Sequence, residues 1–282
     1  MLYRQFKMQD EIDQEYNPRQ IVADVPVVFA RMASESARVR ALLNPKLRLP
    51  YGPTVDEYVD VFPASRPGAP IHFFIHGGYW RAFSSADFNY LAEGLHNAGH
   101  AVVLVNYSLC PAVTLGEIVR QCRAALAWTW RHASSFNGDP DRISVSGHSA
   151  GGHLTGMLLA TDWSGRYGLP ADVIKQACPI SGLFDLAPFP YSWLQPSLQL
   201  GWEEVRRYSP MFLAPSSRPK VIVAVGALES AEFHRQSLDY VAFLRGSGHE
   251  PLYVDLAGHN HFTVTDELNS GGSLLKAIVS GA

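Results

Sequence analysis

The sequence predicts an α/β protein with a mostly parallel central sheet flanked by helices, and three observations carry that expectation. Short Val- and Ile-rich runs recur along the 282 residues with helical segments between them. One such run leads directly into a glycine-flanked serine and then into a helix. No internal repeat or low-complexity tract breaks the alternation. Strands that are apolar throughout need cover on both faces, which alternating helices supply in parallel sheets. A single domain spanning residues 1–282 is the expectation at this length.

In chain order, residues 1–50 read as a helical arm of mixed polarity. Its first turn signal is Tyr16-Asn17-Pro18-Arg19, and a helix over residues 27–43 carries Arg31, Arg38 and Arg40. Strands are expected at 55–62, 71–75, 101–105, 143–146, 173–180, 221–225 and 252–256. Helices are expected at 86–98, 115–133, 152–160, 231–244 and 263–279. Residues 183–219 break the pattern, being rich in proline and aromatics: Pro188, Pro190, Tyr191, Trp193, Pro196, Trp202, Tyr208, Pro210, Phe212 and Pro215. An insertion of this kind beside strand ends is a natural lid whose aromatics either face an apolar pocket or pack it onto the body.

Composition excludes several function classes. With 47% hydrophobic and 17% charged residues the chain is well away from disorder. A net charge of −3 without any basic block gives nucleic acid no footing. Cys110, Cys122 and Cys178 are odd in number and widely spaced, as in a reducing compartment. The start, Met1-Leu2-Tyr3-Arg4-Gln5-Phe6-Lys7, has no apolar leader core. No apolar run approaches the roughly 20 residues a membrane helix needs. A soluble cytoplasmic protein with a small-molecule substrate is expected, with a homodimer as the association left open.

The chemistry centres on Gly147-His148-Ser149-Ala150-Gly151, a G-x-S-x-G pentapeptide between strand and helix. A sharp strand-to-helix turn presents the serine hydroxyl above the sheet, and its glycines let the backbone pass where side chains would not fit. Serine is a poor nucleophile at neutral pH and needs a base, an acid that orients the base, and donors for the oxyanion. Backbone amides of Gly77 and Gly78, in Ile75-His76-Gly77-Gly78-Tyr79-Trp80, and of Ala150 are the candidate donors. The His76 ring is assigned to the loop backbone and not to proton transfer. The base is sought after the last strand, where Gly258-His259-Asn260-His261-Phe262 offers two imidazoles. The acid is sought after the strand at 221–225, where Glu229 fits and Glu232 is the runner-up. No metal is expected: His259 and His261 lie two residues apart with no further ligands completing a set.

These segments together resemble the kynurenine formamidase (arylformamidase) branch of the α/β-hydrolase fold, close to the hormone-sensitive-lipase-like esterases. The resemblance runs through His76-Gly77-Gly78-Tyr79-Trp80, Gly147–Leu154, Gly226–Phe233 and Asn260-His261-Phe262, and touches Asn106–Pro111 and Ile180–Leu186. It implies that the histidine preceding phenylalanine, His261, is the base. The acid position departs from the pattern, since relatives often carry aspartate where Glu229 stands. It further implies cleavage of N-formyl-L-kynurenine to kynurenine and formate, without cofactor, with Tyr79, Trp80 and Phe184 stacking on the substrate ring.

Two other readings share these residues. A general carboxylesterase for short-chain or aryl esters would use the same machinery, as would an acyltransferase with a different second substrate. A catalytically silent ligand-binding module on the same scaffold is the alternative from another class. Such a module would be expected to lack one of the three catalytic groups, all of which are present here.

Overall fold

A computed structural model describes residues 1–281. Its centre is an eight-stranded sheet formed by β1 (Lys46–Pro50), β2 (Tyr58–Phe62), β3 (Ala69–Ile75), β4 (Ala101–Val105), β5 (Gly138–His148), β6 (Ile174–Ile180), β7 (Lys220–Gly226) and β8 (Leu252–Leu256). The order is β1-β2-β4-β3-β5-β6-β7-β8. β2 pairs antiparallel with both β1 and β4, and all pairs from β4 through β8 are parallel.

Period-two alternation divides the core into two bodies. Ile71, Phe73 and Ile75 of β3, Val103 of β4 and Val145 of β5 point into one hydrophobic cluster. Phe74, Val102, Leu104, Ile222 and Ala224 point into the other. Both faces are therefore dry, as a doubly covered parallel sheet requires. Buried His72 is held between the hydroxyls of Ser144 and Ser146, at 2.8 and 2.7 Å, so its polar ring does not go unpaired between strands.

The helices are α1 (Gln9–Tyr16), α2 (Pro18–Ile21), α3 (Val25–Leu43), α4 (Ala92–Asn97), α5 (Leu115–His132), α6 (Ala150–Leu159), α7 (Trp163–Tyr167), α8 (Gln195–Leu198), α9 (Trp202–Tyr208), α10 (Ala231–Gly246) and α11 (Ser273–Val279). All ten residues of α6 are buried, which explains why it carries no Asp, Glu, Lys or Arg. α5 is capped by Thr114, whose hydroxyl accepts from the Glu117 amide. Arginines of α3 clamp it to the body: Arg31 pairs with Asp266 and Arg38 with Glu93.

Several expected elements differ. The arm at 1–50 is not wholly helical, because Lys46–Pro50 crosses back as an antiparallel edge strand. The helix expected over 86–98 begins as a 3-10 turn, Ser85–Leu91, and becomes α-helical only at Ala92. The last helix does not run from 263 to 279: a 3-10 turn at Val264–Leu268 is followed by a break before α11. Gly271 there has φ +90°, and a Cβ on Gly272 would fall 2.1 Å from the Glu267 carbonyl oxygen. Residues 183–219 pack down tightly, with Phe184, Phe189 and Leu194 fully buried while Trp202 and Phe212 remain exposed. Among the described residues, no helix is long and apolar enough to cross a membrane.

Candidate active site

β5 ends at His148, α6 begins at Ala150, and Ser149 makes the turn between them with φ 58° and ψ −116°. A non-glycine residue in that region is strained and persists only where its surroundings hold it. The Ser149 N–H donates to the Ile180 carbonyl at 2.8 Å. Close approach explains the flanking glycines: a Cβ on Gly147 would lie 2.2 Å from the Gly151 oxygen, and one on Gly151 would lie 2.0 Å from the Ile75 oxygen.

Three groups expected from separate strand ends meet here. His261 Nε2 lies 3.1 Å from Ser149 Oγ, and its Nδ1 lies 2.5 Å from Glu229 Oε2. The other Glu229 oxygen accepts from the Ser181 hydroxyl at 2.5 Å and the Gly226 amide at 2.8 Å. The glutamate is thus fixed at both oxygens, with its side chain wholly buried. A carboxylate at Nδ1 selects the tautomer that leaves Nε2 free to accept the serine proton. The rings of His148 and Phe233 pack against His261 with centroids 4.6 and 4.4 Å away. Burial, and after it the nearby His261, pushes the His148 pKa well below that of a free imidazole. His148 therefore stays neutral and does not oppose a positive charge on His261.

The runners-up are engaged elsewhere. Both His259 nitrogens are occupied, Nδ1 2.9 Å from the Thr263 carbonyl and Nε2 3.1 Å from Glu267. Glu232 holds Arg235 and the Tyr16 hydroxyl, each at 2.7 Å.

The loop after β3 is turned toward Ser149. A Cβ on Gly77 would come 3.2 Å from that of Ser149. The Gly78 carbonyl accepts from the amides of Arg81 and Ala82, closing a tight turn, and Gly78 lines the cavity above Ser149. Neither the Gly77 nor the Gly78 amide has an acceptor among the described residues. Ala150 opens α6, so helix geometry leaves its amide without an intrahelical acceptor. The His76 ring bonds the Gly77 carbonyl at 2.8 Å and stacks on Tyr107 at 4.1 Å. Burial pushes its pKa down to about 4, so it is a neutral brace of the loop.

A cavity of about 190 Å³ opens over Ser149 and His261. Its walls include Phe29, Met32, Phe83, Phe88, Trp193 and Phe262, and its rim includes Asn17, Arg19 and Arg81. Of the three aromatics expected to face substrate, only Tyr79 lines the cavity. Trp80 is buried away from it, donating to His153 Nδ1 at 3.2 Å. Phe184 is buried too, stacked on Tyr240 at 4.0 Å. The arm supplies a wall that sequence patterning did not indicate: Asn17 to Arg19, Phe29 and Met32. The one local hint was spacing, since Phe29 and Met32 lie three apart on α3 and so share a face.

Chemically, this arrangement can move a proton from the serine hydroxyl to an imidazole, support the resulting imidazolium with a carboxylate, and offer amides to a developing oxyanion. The BD-FAE family model matches residues 60–168, from β2 through the turn after α7. Kynurenine formamidase of Danio rerio is 30% identical, covering 96% of this chain and 94% of its own length. The Salmo salar kynurenine formamidase is 30% identical over 93% of this chain and 92% of its own. Esterase LipQ of Mycobacterium tuberculosis is 28% identical over 81% of this chain and 62% of its own. A crystal structure from Silicibacter sp. matches with TM-score 0.86 and 27% identity, covering 97% of this chain and 100% of that one. The Pyrobaculum calidifontis esterase, at TM-score 0.69 and 19% identity over 97% of this chain and 96% of its own, shares the fold. With an elbow serine, an HGG loop and a near end-to-end match to those relatives, the chain belongs to the kynurenine formamidase family of the α/β-hydrolases.

Proposed function

We propose that this protein is an arylformamidase that hydrolyses N-formyl-L-kynurenine to kynurenine and formate, with Ser149 as nucleophile, His261 as general base and acid, and Glu229 as the orienting carboxylate. The observation that carries the reading is the Ser149–His261–Glu229 chain of hydrogen bonds opening onto a largely aromatic cavity. Family membership adds the substrate class, since the relatives that match nearly end to end are named kynurenine formamidases.

In the first step Ser149 Oγ bonds to the formyl carbon and its proton passes to His261 Nε2. The carbonyl electron pair moves onto oxygen, where the amides of Gly77, Gly78 and Ala150 receive it. Glu229 offsets the imidazolium charge. The C–N bond then breaks, His261 gives its proton to the departing arylamine, and Ser149 is left as a formyl ester. Water activated by the now neutral His261 attacks that ester, formate leaves, and the serine recovers its proton. No step requires a metal or an organic cofactor. Tyr79 would pack against the substrate with Trp80 edge-on behind it, whereas Phe184 belongs to the core beside Tyr240.

A carboxylesterase acting on short-chain or aryl esters is the second reading, favoured by the likeness to LipQ. Comparing kcat/KM on N-formylkynurenine and p-nitrophenyl acetate decides between them. Formamide turnover that exceeds ester turnover supports the proposal; ester turnover alone overturns it. A reducing, cytoplasmic setting belongs to the same reading, because all three cysteines are buried free thiols.

A further inference from the structure

The rim of the cavity carries two guanidiniums, those of Arg19 and Arg81, that no carboxylate among the described residues neutralises. Arg31, Arg38, Arg120 and Arg235 each hold a carboxylate elsewhere on the molecule. Among the described residues Arg19 and Arg81 pair with none, although both line the cavity and both are exposed. Among the described residues no Asp or Glu lines this cavity. The two guanidiniums therefore place positive charge beside aromatic walls, in a protein whose net charge is −3.

Both side chains are held in place. The Arg19 guanidinium sits 5.4 Å from the Phe29 ring centroid, and that of Arg81 sits 5.3 Å from the Trp193 ring. Both rings line the cavity. A guanidinium on an aromatic face is fixed in position and keeps its N–H edge free for a planar anion. The backbones beneath are also constrained: Arg19 follows Pro18 at the start of α2, and the Arg81 amide is bound to the Gly78 carbonyl.

We propose that Arg19 and Arg81 form an anion subsite that takes the carboxylate at the tail of the substrate, so that the enzyme selects aryl formamides carrying an amino-acid side chain over neutral ones. This rests on the arylformamidase reading and deepens it. Ser149 and His261 are buried at the cavity floor and the two guanidiniums are exposed at its mouth. A substrate with its formyl group at one end, an aryl ring in the middle and a carboxylate at the other matches that order. The α-ammonium needs only an acceptor, which the Asn17 side chain on the same rim can offer.

The test compares N-formylkynurenine with N-formyl-2-aminoacetophenone, the same aryl formamide without the amino-acid tail, in wild type, Arg19→Gln, Arg81→Gln and the double variant. Wild type is expected to favour the carboxylate-bearing substrate. The double variant is expected to lose about 100-fold in that preference, mostly through KM, as charge-assisted hydrogen bonds of this kind predict. Raising salt should shrink the wild-type preference, because the subsite is open to solvent. A double variant that keeps the wild-type preference, or that loses equally on both substrates, overturns the proposal. If wild type cleaves neither formamide but does cleave esters, the formamidase reading alone fails. The subsite is then judged by the same criterion on 3-(2-acetoxyphenyl)propanoate against phenyl acetate.

Discussion

At the scale of single residues, Ser149 is held at the elbow in a strained backbone conformation and His261 is packed between the rings of His148 and Phe233. Ser149→Ala is expected to cut kcat by about 10⁴-fold or more and to abolish labelling by a fluorophosphonate that marks the wild type. Glu229→Gln keeps the shape but removes the charge facing His261 and puts an amide where three donors now point at the two carboxylate oxygens. A kcat loss of about 10³- to 10⁴-fold, with KM changed far less, is expected from steady-state kinetics. Glu232→Gln should leave kcat within a few-fold of wild type, since that carboxylate serves Arg235 and Tyr16; a loss equal to that of Glu229→Gln would contradict the assignment. That Ser149, His261 and Glu229 would meet was legible in the sequence because each sits beside a strand end in a fixed chain order, which reduces the search to a few residues. Trp80 and Phe184 were misjudged because an aromatic next to a motif looks the same whether it faces the cavity or the core. The cavity aromatics Phe29, Phe83, Phe88 and Phe262 come from the arm, the loop after β3, the turn that follows it and the segment after β8. No local pattern joins them.

Among the elements, the strands were the most legible and the arm the least. Strands at 101–105 and 252–256 fall where their strand-like apolar runs place them, while β5 begins earlier, at Gly138. β1 was missed because Lys46-Leu47-Arg48-Leu49-Pro50 is an exposed edge strand with no buried face to impose a run. The arm's role depends on long-range hydrogen bonds that sequence does not display. The Trp193 amide donates to Asp13 at 2.8 Å, the Ser230 hydroxyl to the Glu15 carbonyl at 2.6 Å, and the Tyr79 hydroxyl to the Tyr16 carbonyl at 2.5 Å. Together they hold the wall bearing Asn17 and Arg19 against the body. The double variant Asp13→Ala/Ser230→Ala is expected to raise KM for N-formylkynurenine several-fold and to speed proteolysis within residues 1–24, while Ser149 still labels. Proteolysis at the wild-type rate with unchanged KM would show that these two bonds do not secure the wall.

For the molecule as a whole, acid should be the vulnerable side. His72, His76 and His153 are fully buried, and burial pushes their pKa values down to about 3, 4 and 4. A histidine whose folded pKa lies below its unfolded value near 6.5 binds fewer protons when folded, so its stabilising contribution is complete above that value and is lost as pH falls. At pH 5 each contributes about 2 kcal/mol less than at pH 7, from 1.5 pKa units at 1.36 kcal/mol each. Calorimetry from pH 7 to 5 should show Tm falling, with three to four protons taken up on unfolding at pH 5 by these three histidines and His148, whose pKa burial also pushes down; a Tm independent of pH in that range would refute it. The hydrogen bonds between the arm and the body carry a different consequence, one for the order of assembly. Tyr16 waits for Glu232, 216 residues further on, and Tyr3 for Asp185, 182 residues further on. On the ribosome, this segment emerges long before the residues it bonds, and the cavity wall that it forms stays unfinished until Asp185 and Glu232 have followed.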